Sequence, residues 1–233
     1  MIPLRDSTRS STFPYITIII IVVNSVIFLY EVSLGEHLNA FLNTFGLIPA
    51  RMIQLWEQSP MNLLAIGIPF FSSIFLHGGW MHLIGNMWFL WIFGDNVEDS
   101  MGHGRFVLFY LLTGVGANLI HAFVNISSTV PTIGASGAIA GVMGAYMMTY
   151  PRGRVLTLIP IIIFIHFAEI PAWVFLLIWI AIQTFQGIAS LGIVTGGGVA
   201  WWAHIGGFIL GAILIFLFRK HHRSPPSFYV EIE

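Results

Sequence analysis

The chain has 233 residues, of which 57% are hydrophobic and 8% charged. A soluble domain carries about 25% charged residues, so this composition excludes a soluble globular protein and points to a chain lying almost wholly in or on a bilayer. A formal net charge of −1 gives no case for nucleic acid, and the absence of cysteine excludes disulfides, thiolate metal sites and thiol catalysis.

Residues 1–12 are polar, carry Arg5 and Arg9, and read as a short flexible cytoplasmic tail. A membrane domain over 13–219 follows, read as an all-α bundle of six transmembrane helices. The first span, about 13–34, is too long and too β-branched for a cleavable signal peptide and stays as an anchor. From Gly35 to Ile74, runs such as Phe41–Leu47 and Met61–Ile68 are too short to span and too apolar to float, which predicts short amphipathic helices in the interface of the first outer loop. The second span is predicted at about 80–94, and Asp95, Glu98, Asp99 and Arg105 read as a charged turn before the third at 106–125.

The fourth span, 134–150, is the stretch around which the others are arranged. Four glycines and four alanines between Gly134 and Tyr146 leave almost no side-chain bulk, so neighbouring helices can approach closely. Gly114, Gly116, Gly137, Gly141, Gly144, Gly207 and Gly211 supply the small surfaces for that packing. Pro131, five residues earlier, places the helix start between itself and Ser136, whose hydroxyl then falls in or near the first turn, beside backbone N–H groups without intrahelical partners. The simplest role for a serine there is a helix cap. The alternative is a nucleophile next to an oxyanion site.

Pro151-Arg152-Gly153-Arg154 ends the fourth span. Val155–Ile165 has three readings open to it: an interfacial strand, a re-entrant loop, or the start of a long fifth span otherwise set at 170–188. Gly196-Gly197-Gly198 reads as a flexible link, the sixth span as 199–218, and residues 220–233 as a disordered cytoplasmic tail. With the amino terminus inside, eight of the nine Lys and Arg residues fall on the cytoplasmic side and only Arg51 outside. Both termini are then cytoplasmic, in an inner or plasma membrane.

Polar groups inside spans are costly and by default face the bundle interior as functional candidates. His82 and Asn86, four apart, share a face at the outer end of the second span, and His204 lies about a turn into the sixth from the same side as Ser136. A serine and an imidazole can act as nucleophile and general base, with His82 and Asn86 donating to the developing oxyanion. No carboxylate lies near enough to orient His204, which favours a dyad over a triad. A zinc site on His77, His82 and His204 is the competing reading, opposed by the lack of a His-Glu-x-x-His pair or a placed carboxylate.

Gly134-Ala135-Ser136-Gly137, the run His77-Gly78-Gly79-Trp80-Met81-His82-Leu83-Ile84-Gly85-Asn86, Phe93-Gly94-Asp95-Asn96-Val97-Glu98-Asp99 and Ala203-His204-Ile205-Gly206-Gly207 together resemble the rhomboid family of intramembrane serine proteases, in its bacterial six-helix form. The resemblance covers roughly residues 41–218. It implies a serine endopeptidase that cleaves transmembrane protein substrates near the outer face from within membrane lipid, with no cofactor and no metal. Ser136 would be the nucleophile, His204 its base, and His82 and Asn86 oxyanion-stabilising with the Ser136 backbone N–H; His77, Gly134 and Gly137 would support them. Where family members often carry an aromatic ring four residues after the serine, this chain has Ala140, so a ring from the sixth or second span would have to hold His204. The first outer loop also lacks the Trp-Arg pair that some members carry. A catalytically silent rhomboid-like binder of membrane proteins and a histidine-lined transporter are the alternatives.

Overall fold

Helix packing here is governed by where side chains are missing. A computed structural model describes residues 1–161, 164–191 and 199–220. Its helices are α1 (Tyr15–Ser33), α2 (Leu38–Phe45), α3 (Pro49–Gln58), α4 (Leu63–Ser72), α5 (Trp80–Met101), α6 (His103–Val124), α7 (Ser136–Thr149), α8 (Ala172–Ala189) and α9 (Trp201–Phe218). The centre is α7, ten of whose 14 residues are buried. Along its contact with α9, glycines face backbone: a methyl group added at Gly207 or Gly211 would strike the carbonyl of Gly137 or Gly141, and one at Gly144 would strike that of Phe208. On the other side, added methyls at Gly137 and Gly141 would lie 2.7 Å from Ala117 Cβ and 2.5 Å from Thr113 Cβ of α6. Small residues four apart thus let three helices meet at backbone distance.

Among the described residues, four helices, α1, α6, α8 and α9, are long and apolar enough to cross a bilayer. The count becomes five if Leu63–Phe75 and Trp80–Met101, bent by 80°, form one broken span. Against the expected six, α7 falls short because its 14 residues give a length of about 21 Å, less than the roughly 30 Å of hydrocarbon.

Two expectations are corrected, and one open reading is decided, at the end of the bundle opposite Ser136. The predicted charged turn at Asp95–Asp99 is helical, and α5 runs on to Met101 before Gly102, at φ 87°, turns the chain. Those acidic residues hold the N-terminal segment. Fully buried Glu98 accepts from the backbone N–H groups of Ile16 and Thr17 at 3.0 and 2.8 Å and from the Thr17 hydroxyl at 2.7 Å. It thereby satisfies the open amide end of α1 and its dipole, and His103 Nδ1 sits 2.6 Å from its other side. Asp99 accepts from Ser11 and Thr12, and Asp95 from Ser10.

The supposed flexible tail is therefore ordered, and Ile2–Asp6 form a strand, β1. Val155–Ile165, left open between strand, loop and span, falls in an antiparallel pair of β2 (Arg154–Ile161) and β3 (Phe164–Pro171), so the expected all-α fold carries strands as well. β1 pairs antiparallel with β2, giving the order β1-β2-β3. Asp6 ties this sheet to the foot of α7, accepting from the Tyr146 hydroxyl at 2.6 Å and from the Asn96 amide at 3.0 Å. The glycine link at 196–198 and the tail beyond Lys220 lie outside the described residues.

Candidate active site

The entry to α7 is fixed by neighbouring loops. Leu47 and Thr132 form a two-way backbone bridge, and Gly134 N–H donates to the Ser73 carbonyl at 2.8 Å. Gly134 adopts φ 131°, a conformation open in practice only to glycine. The turn delivers Ser136 at the first position of α7, where its N–H has no acceptor one helical turn back.

From α9, one turn in from its start, His204 reaches the same point: Nε2 lies 2.8 Å from Ser136 Oγ. Both positions follow from the glycine seam, because the backbones of α7 and α9 touch just below. The other ring nitrogen, Nδ1, lies 2.6 Å from Gln183 Oε1 on α8. An amide oxygen only accepts, so Nδ1 carries the proton and Nε2 offers its lone pair to the serine hydroxyl. Trp179, one turn before Gln183, lies against the imidazole at 5.8 Å between ring centroids and 33°, and Trp201 meets it edge-on at 6.1 Å and 90°. The ring that replaces the one missing at Ala140 thus comes from α8 and from α9 itself, and not from the second span.

His82 approaches from α5. Its Nδ1 accepts from Gly78 N–H at 3.3 Å, which leaves the proton on Nε2. That nitrogen stands over Gly134: a methyl there would be 2.6 Å from His82 Nε2 and 3.6 Å from Ser136 Oγ. One donor nitrogen and the serine oxygen therefore border the same small space.

Asn86 does not join them by a direct contact. Its amide Nδ2 is 3.0 Å from His77 Nε2, and both side chains are buried. His77 in turn donates its backbone N–H to the buried carboxylate of Glu31 on α1 and packs edge-on against His82, 5.0 Å between centroids. The loop above α5 is thus pinned from α1 and α5 together. Among the described residues, no three His, Asp or Glu side chains converge where a metal ion would sit, and His204 spends both its nitrogens on Ser136 and Gln183.

Sequence reasoning missed Gln183, Trp179 and Glu31. The signal for Gln183 was present, since an amide inside the apolar run of α8 is costly unless it faces the interior. An amide oxygen can accept from an imidazole N–H as a carboxylate does.

A Rhomboid domain model matches residues 65–221, more than half of the chain. The chain is 29% identical over 203 residues to Rhomboid-like protein 11, chloroplastic, of Arabidopsis thaliana, covering 84% of this chain and 66% of that protein. It is 26% identical over 167 residues to Rhomboid protein 1, mitochondrial, of Saccharomyces cerevisiae, covering 70% and 45%. To the Presenilin-associated rhomboid-like protein, mitochondrial, of Mus musculus it is 31% identical over 105 residues, covering 44% and 28%. The chain spans less than two thirds of the length of each of these curated relatives.

Proposed function

Because the chain belongs to the rhomboid family, we propose that it is an intramembrane serine endopeptidase that cuts transmembrane-helix substrates near the outer membrane face. The observation that carries this reading is the 2.8 Å approach of Ser136 Oγ to an imidazole nitrogen whose lone pair faces it. Ser136 Oγ attacks the scissile carbonyl as its proton passes to His204 Nε2. The proton then goes to the departing amide nitrogen as the C–N bond breaks, leaving an ester on Ser136. Water, losing a proton to Nε2, hydrolyses that ester, and the hydroxyl is restored.

Charge on the attacked oxygen falls in the space beside Gly134. There His82 Nε2–H and the Ser136 backbone N–H donate to it, with Asn86 contributing its second amide proton. Gly134 and Gly137 keep this space and the helix seam clear, and His77 holds the loop above. In this reading α1, α5, α6, α7, α8 and α9 are the six spans, both termini are cytoplasmic in an inner or plasma membrane, and α2 to α4 lie in the outer interface. The shortness of α7 leaves room for water above Ser136. A substrate helix must surrender its own hydrogen bonds there before a peptide bond is exposed.

A fluorophosphonate probe in detergent tests the reading. The parent chain is expected to label, with Ser136→Ala and His204→Ala unlabelled. Reconstituted with a single-span substrate, Ser136→Ala is expected to leave it intact. Cleavage by Ser136→Ala at the parental rate would overturn the mechanism, and an unlabelled, inactive parent would place the chain with the catalytically silent members of its family.

A further inference from the structure

We propose that Gln183 is a positioning residue for His204, its amide oxygen fixing the tautomer and the ring direction on which proton transfer from Ser136 depends. This inference rests on the hydrolase reading above and adds a third side chain to it. Gln183 is 7% exposed and His204 8%, so the 2.6 Å contact between them is largely shielded from solvent. A neutral imidazole has one N–H and one lone pair. Left alone in an apolar setting, the ring would populate both tautomers, and the one protonated at Nε2 has no lone pair to accept the serine proton. By accepting from Nδ1, Gln183 selects the productive form.

Its position on the helix suits that task. Gln183 lies one turn beyond Trp179 on α8, so one helix face presents a ring to the flat side of His204 and an acceptor to its edge. The two contacts restrain different motions: the indole limits tilt, and the amide limits rotation about χ2 and in-plane swing. A carboxylate would do the second job and would also favour the imidazolium, but a charge in the middle of the bundle costs more to insert than a neutral amide. The amide gives orientation without that charge.

The test compares Gln183→Leu, which removes the acceptor at similar volume, with Gln183→Glu, which keeps one. In full-length protein reconstituted with a single-span substrate, Gln183→Leu is expected to lower kcat about 10- to 100-fold with KM within about twofold, and to slow fluorophosphonate labelling equally. Gln183→Glu is expected to recover most of the lost rate. Nitrogen-15 spectra of labelled His204 are expected to shift toward the form protonated at Nε2 in Gln183→Leu alone. A parent that labels and cleaves while Gln183→Leu matches it in both rate and spectrum overturns the inference and leaves the hydrolase reading standing. A parent that neither labels nor cleaves removes that reading, and this inference with it. Thermal unfolding of each variant separates a lost fold from a lost orientation; if Gln183→Leu does not fold, Gln183→Met makes the same comparison.

Discussion

His82 Nε2 stands over the α-carbon of Gly134 with no room for a methyl group between them, since an added Cβ would lie 2.6 Å from that nitrogen. The same Gly134 has φ 131°, so a side chain there is refused twice, by backbone geometry and by the ring above it. Gly134→Ala is expected to destabilise the fold by about 1–3 kcal/mol and, on the proposed mechanism, to lower cleavage by about 100-fold or more, because relieving the clash would move His82 Nε2 away from the oxygen it is proposed to stabilise. Thermal unfolding and substrate cleavage, measured side by side, check the two effects. Parental activity in Gly134→Ala would show that His82 does not act there.

The glycine seam makes a position-specific prediction. Gly144→Ala places a methyl on the carbonyl of Phe208 and 3.0 Å from the Ala212 nitrogen, so α7 and α9 must part. The expected cost is about 1–3 kcal/mol. Gly67→Ala on α4, where nothing lies within 4 Å of the added carbon, is expected to be neutral or to stabilise by up to about 1 kcal/mol. Unfolding temperatures in one detergent decide between them.

Glu98 gathers bonds from the first turn of α1, and its charge suits the positive end of that helix. Glu98→Gln turns an amide N–H toward donors and is expected to cost about 1.5–3 kcal/mol. Faster hydrogen exchange at Ile16 and Thr17 is the signature to look for; unchanged exchange there would show the cap to be dispensable.

Burial raises the pKa of Asp6 above its ordinary 3.8, against the lowering effect of bonds from Tyr146 and Thr8. A carboxyl with a raised folded-state value contributes stability fully present below its unfolded value and lost as pH rises through the folded one. Protection of the β1 amides, corrected for intrinsic exchange, is therefore expected to be greatest in acid and to fall toward neutrality. Asp6→Asn, which keeps an acceptor and has no charge, is expected to flatten that step. Protection that grows with pH in the parent would contradict this assignment.

The helices that carry Ser136, His204 and His82 were legible in the sequence because their signals are local. Pro131 marks the start of α7, and small residues mark its packing face. Elsewhere the deciding partner lies far along the chain. Polar residues 1–12 look like a tail until the acceptors of Ser10, Ser11 and Thr12, namely Asp95 and Asp99, more than 80 positions away, are seen on one side of α5. Those same acids suggest a turn, since nothing local says that another helix ends against them. Arg154–Pro171 alternates too weakly to separate strand from span, and its register is set by pairing with β1 as much as by its own side chains. For Gln183 the spacing rules connect neighbours on one helix, and its partner is on the next.

The pairing of β1 with β2 joins residues 2–6 to residues 155–158. During synthesis the first of these must wait, unpaired, until most of the bundle has emerged and inserted. Of the three strands, the one made first is thus held back from pairing until β2, beyond α7, has been made.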